Sequence, residues 1–285
     1  MKEFLQIGAE FDVRDTVLEA VVRKVIGGDR AVAYVYQCED SLEGIYTAIY
    51  KIYEDKHHLP DTRICLEEEY RLFAEYITVE TDKERAVKVM RTCQKQFGER
   101  DYYSLCMALM TPDMEKAQAV YKTIAYGLMA KPEKGHLFDH LTDDYVLKAF
   151  KLSETVNREA HHWVEFLRFR ELENGILYAT ISPKCHVMTQ LMEHFSDRFP
   201  SENFAIFDEK RKLFGIHPYR NQWFLAGGEE LEARFEQIPY SAAEEKYAQL
   251  YRHFVKTIAI KERKNTDLQR NMLPLYFREF MTEFE

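Results

Sequence analysis

No 18 consecutive apolar residues occur in this 285-residue chain. A helix needs about 20 to cross a bilayer, so no membrane span is expected. The opening MKEFLQIGAEFDVRD carries acids early and no apolar core, so no secretory signal is expected and a cytoplasmic protein is. Five cysteines (Cys38, Cys65, Cys93, Cys106 and Cys185) are scattered, with no CxxC pair. Reduced thiols follow, and neither metal nor iron–sulfur ligation is expected. GxGxxG, GxxxxGK[ST], GxSxG and HExxH are all absent. Dinucleotide oxidoreductases, nucleotide-driven motors, nucleophile-elbow hydrolases and zincins therefore lose ground, and no cofactor is expected.

What is present is ordinary in amount and uneven in place. The net charge is -9. Residues 1–150 hold 20 Lys and Arg against 27 Asp and Glu, whereas residues 151–285 hold 19 against 21. Within the acidic whole lies a basic island, KTIAIKERKNTDLQRNMLPLYFR (256–278). It places Lys256, Lys261, Arg263, Lys264, Arg270 and Arg278 against only Glu262 and Asp267. A local field acts within about 10 Å at ordinary salt, so an acidic protein can hold nucleic acid through one basic face. Asn265, Gln269 and Tyr276 add groups suited to base edges and stacking. The competing reading is a solvated terminal helix.

Hydrophobic periodicity predicts α+β: a helical N-terminal half, a small mostly antiparallel sheet with a β-hairpin in the C-terminal half, and C-terminal helices. Residues 1–30 read as an N-terminal extension, with a helix over 12–26 stopped by Gly27-Gly28. Residues 31–140 read as mainly helical and 141–285 as the α+β region, unless 31–285 form one compact domain. A strand is predicted at 31–37 and a loop over 55–70. Capping boxes at Asp40/Glu43 and Thr81/Glu84 open two helices. Thr111-Pro112 opens a third, running to Ala130. A long helix from Thr142 to Trp163 has Val146, Ala149, Leu152, Val156, Ala160 and Trp163 on one face. Glu173-Asn174-Gly175 is a hairpin signal, read as a two-residue turn with positive φ at Asn174 and Gly175. That register opposes Arg168 to Ile181 and Arg170 to Ala179. Runs at 204–208, 212–217 and 222–226 suggest an antiparallel meander, and helices at 242–261 and 267–284 close the chain.

Three polar constellations stand out. Ser153, Asn157 and His161 line a stripe beside the apolar face of the long helix, where His161 is the candidate general acid or base, or else a structural histidine. Arg168 and Arg170 alternate on the first hairpin strand, placed to grip an anionic group or to pair with acids such as Glu165, Glu171 or those of the first half. His186, Gln190 and His194, with Asp197, share a helix face, but with no fourth ligand a solvated face is favoured over a metal site.

The order of VNREAHHWVEFLRFRELENGILYATISP, HFSDRF, FAIFDEKR and KTIAIKERKN…MLPLYFREFMTE resembles a bacterial family of unknown function described by association with DNA metabolism. The resemblance starts at AVAYVYQCEDSLEGIYTAIY and covers roughly residues 31–285. Its members accompany a radical-SAM DNA repair protein, and related domains are fused to uracil-DNA-glycosylase-like proteins. The matched polar positions include Glu159, His161, Arg168, Arg170, Asp208, Lys261, Arg263, Asn265 and Gln269. The resemblance implies a protein that binds DNA, with RNA still open, and works with such a partner. No reaction is implied. The alternatives are an enzyme using His161, with Arg168 and Arg170 on an anionic group, and a protein–protein adaptor.

Overall fold

A computed structural model describes residues 33–57, 62–67, 74–130 and 136–284. The expected extension over residues 1–30, with its helix at 12–26, lies outside the described residues. The chain divides into two compact units, Met1–Val156 and Asn157–Glu285. It is α+β, with helices in both halves.

In the first unit, β1 (Ala33–Gln37) lies between β2 (Thr62–Cys65) and β3 (Ala74–Thr78), parallel to both. β2 falls inside the polar stretch expected to be a loop. Its Ile64 N–H donates to the Gln118 side chain at 2.9 Å, so a nonlocal partner holds the strand. The helix α1 (Leu42–Glu54) returns Ile45, Ile49 and Ile52 to the core, a spacing of one helical face. Its cap is Ser41, whose Oγ accepts the Gly44 N–H at 3.0 Å, rather than the expected Asp40/Glu43 box. Likewise Asp82, not Thr81, caps α2 (Lys83–Leu109) by accepting from Glu84 and Arg85. Gly98, at φ +81° and with non-helical backbone, divides that stretch into two helices that meet at a kink. The helix α3 (Lys116–Ala130) starts later than Thr111-Pro112 suggested.

The helix α4 (Asp144–Phe166) buries all six expected apolar positions. The second unit is built on five strands in sequence order: β4 (Arg170–Glu171), β5 (Leu177–Ile181), β6 (Phe204–Asp208), β7 (Leu213–His217) and β8 (Phe224–Gly227). The last three form the expected antiparallel meander, whereas β5 and β6 are parallel, joined across α5 (Met188–Arg198). α5 presents Met188, Leu191, Met192 and Phe195 to the sheet, closely enough that a Cβ at Gly215 would collide with Met192.

The hairpin differs from expectation by one residue. Arg170 opposes Tyr178, not Ala179, around a three-residue loop closed by the Leu172 N–H to Ile176 O bond at 2.9 Å. Only Gly175 takes positive φ, at +81°. Asn174 instead accepts the Ile176 N–H through Oδ1 at 3.1 Å, the local bond that lets asparagine turn a chain without the left-handed conformation. Beyond β8 follow α6 (Glu229–Glu236) and α7 (Ala242–Ile258). The single helix expected over 267–284 is broken into α8 (Thr266–Met272), α9 (Leu275–Arg278) and a 3-10 turn, Thr282–Phe284. Pro274, which has no N–H and disfavours helix at the residue before it, makes the break.

Candidate nucleic-acid interface

The end of the chain is pinned to the C-terminal half of α4. The Trp163 indole is fully buried and meets Phe277, Phe280 and Tyr276 edge-on at 4.9, 5.2 and 5.9 Å. Tyr276 is thus an internal packing residue. Burial, then the Glu159 carboxylate, pushes its phenol up to about 12, so it stays protonated. The indole N–H of Trp163 is buried and makes no hydrogen bond with the described residues.

Both hairpin arginines face internal acids. Arg168 Nη2 lies 2.8 Å from Glu283 Oε1, and only 9% of that glutamate's side chain is exposed. Arg168 lies ahead of β4, and its Nη1 also donates to Glu165 O. Arg170 Nε lies 3.6 Å from Glu244, and its guanidinium stacks 3.8 Å over Tyr240. Around it the start of α7 is docked on β4: Glu244 accepts the Glu171 N–H at 3.0 Å, and Ser241 Oγ donates to Glu171 Oε2 at 2.8 Å. The two arginines therefore fix the origin of α7 and the end of the chain. His161 stands apart from this, 72% exposed, with Nε2 3.2 Å from Glu165 on the next turn. An exposed pair of that kind contributes little. Asn157 accepts from Gln190 at 3.0 Å, so the polar stripe meets α5 there.

A second polar centre holds the loop after β5. Glu159 accepts the N–H groups of Lys184 and Cys185, each at 2.7 Å. Asp208, fully buried at the end of β6, accepts from the Lys210 and Arg211 N–H groups and from Arg211 Nη1 at 2.9 Å. Arg211 in turn donates to the carbonyls of Pro183 and Lys184. The His186 imidazole sits beside this centre. Its pKa is lowered, first by burial and then by the Arg211 guanidinium, while Asp208 acts in the opposite direction. Glu159 and Asp208 are matched positions of the family resemblance, Glu159 also flanks His161 in the sequence, and Arg211 ends the FAIFDEKR segment without a role of its own. Nothing in spacing announces a buried carboxylate whose partners are backbone groups. Among the described residues no three His, Cys, Asp or Glu side chains are grouped to hold a metal ion.

The basic island is the opposite environment. Lys256 on α7, Arg263 and Lys264 in the following turn, and Arg270 on α8 are exposed and form no ion pair with the described residues. Lys261 belongs to the 3-10 turn Lys261–Arg263, and its side chain lies outside the described residues. Gln269 is exposed, and Asn265 caps α8 by accepting the Leu268 N–H at 2.9 Å. α7 also shows an apolar stripe, Tyr247, Leu250, Tyr251, Phe254 and Ile258, exposed among the described residues and on the face of the helix opposite Lys256. Spacings of 3, 1, 3 and 4 keep the stripe on one helical face. No helix among the described residues is long and apolar enough to cross a membrane.

The model of a family defined by a domain of unknown function, DUF4130, matches residues 114–283. No curated protein matches the chain.

Proposed function

We propose that this chain, which belongs to the DUF4130 family, is a nucleic-acid-binding protein of DNA metabolism or repair that acts with a radical-SAM or glycosylase-like partner. The observation that carries the reading is the contrast between two sets of cations in one unit. Arg168, Arg170, Arg211 and Lys212 are each matched to a carboxylate. Lys256, Arg263, Lys264 and Arg270 are exposed without one among the described residues. Cations held apart from acids keep their field for an external anion, and a chain of phosphates is the anion that rewards several at once. Stacking falls to residues other than Tyr276, whose ring is packed on Trp163.

The full chain should bind DNA oligonucleotides with an affinity that falls steeply as salt rises. Comparing DNA with RNA, and single with double strands, assigns the substrate class. The exposed apolar stripe of α7 favours a second reading, an adaptor that docks a protein partner there. On that reading alone, no nucleic-acid affinity is measurable at any salt.

A further inference from the structure

A cleft of about 980 Å³ opens between the end of α5 and the turn after β7, within the second unit. Asp197, His217, Arg220, Asn221, Gln222 and Trp223 all line it. Its floor is His217, a buried ring stacked on Phe204 at 4.7 Å with Nδ1 2.9 Å from Glu202 O. A carbonyl only accepts, so Nδ1 donates to it and the ring is held in place. The wall is a turn closed by the Asn221 N–H to Pro218 O bond at 3.0 Å. Arg220 is its third residue, with φ +52° and its N–H tied to Pro200 O at 2.9 Å. Glycine or asparagine suits that position, so an arginine there is held against its backbone preference. Its guanidinium rests 5.1 Å from the Tyr219 ring and meets no carboxylate among the described residues. Asp197, in the same cleft, forms no ion pair among them either.

One unpaired anion, one unpaired cation and an indole do not make a phosphate site, because Asp197 repels an anion. They suit an uncharged planar ring with donors on one edge and acceptors on another. Guanine offers adjacent N1–H and N2–H₂ donors to a carboxylate, and its O6 and N7 to a guanidinium. We propose that this cleft binds an unpaired guanine base, with Trp223 as the stacking surface. The proposal deepens the nucleic-acid reading and rests on it for the source of the base, though the nucleoside alone tests the cleft.

Trp163 and Trp223 are the only tryptophans, so a nitrogen-15 spectrum holds two indole signals, assigned by Trp223→Phe. Guanosine should move the Trp223 signal and leave Trp163 in place, with adenosine, cytidine and uridine binding more weakly. Asp197→Asn should weaken guanosine by about tenfold. Arg220→Gly should raise Tm by relieving the positive φ, yet weaken guanosine as well. Three results would overturn the proposal: a Trp223 signal indifferent to every nucleoside, one moved equally by inorganic phosphate, or Asp197→Asn and Arg220→Gly proteins that bind guanosine as the parent does. Replacing Lys261, Arg263 and Lys264 by Ala separates the two readings. Guanosine binding kept while salt-dependent DNA binding is absent in parent and variant refutes the basic-island reading alone. Guanosine binding absent while DNA binding persists refutes the cleft alone.

Discussion

At the scale of single residues, two positions test the local chemistry. Gly175 holds φ +81° with open space where a Cβ would stand. Backbone preference rather than crowding is therefore what glycine supplies, and Gly175→Val should destabilise by about 1 kcal/mol or more. An unchanged denaturation midpoint would remove the turn assignment. His186 concerns pH. Its depressed folded pKa means that the unfolded chain takes up a proton near its ordinary 6.5 while the folded chain does not. Stability from this group is full above that pH and is lost as pH falls below it, down to the folded value. In His186→Gln, the loss of Tm from neutral pH to about pH 5 should be smaller than in the parent. Equal losses would mean that His186 protonates as freely in the folded protein as outside it.

At the scale of elements, what the sequence made legible were features written locally. The six-residue apolar face of α4 and the limits of β6 came from periodicity and β-rich runs. So did the meander, because antiparallel neighbours are joined by short polar loops. Pairings made at a distance were not legible. β2 is a polar-flanked TRIC whose Ile64 N–H is held by Gln118, and the β5–β6 pair is parallel across a helix. The hairpin register slipped because Asn-Gly supports two loop lengths, and the Asn174 side chain chose between them. The signal for the break at Pro274 was present in the sequence, since proline has no N–H and disfavours helix at the residue before it. In the candidate site, the basic island was visible as composition. That Arg168 and Arg170 face Glu283 and Glu244 was not, since both acids lie more than 70 residues away. The cleft turn HPYRNQW carried a signal that spacing rules miss, a density of aromatic, Arg, Asn and Gln residues within a single turn. The anchoring of the chain end makes its own prediction. Phe277 is buried against Trp163 and Phe166, so Phe277→Ala should cost about 3–5 kcal/mol. A loss under about 1 kcal/mol would show that the aromatic rings do not hold the last helices in place.

At the scale of the whole molecule, charge placement decides what a chain of net charge -9 can hold. Such a protein is repelled from DNA everywhere except where cations stand clear of its own 48 acids. Among the described residues Lys256, Arg263, Lys264 and Arg270 meet that condition, and the apolar stripe on the other face of α7 leaves room for a partner on the same helix. The most direct measurement is the slope of log affinity against log salt for a DNA oligonucleotide, in the parent and in the variant with Lys261, Arg263 and Lys264 replaced by Ala. Removing one phosphate-binding cation flattens the slope by about 0.7 to 0.9, so the triple variant should be shallower by about 2 to 3 while its melting temperature is kept. A parent without measurable affinity, or a variant with the parent's slope, would contradict the nucleic-acid reading and leave the adaptor.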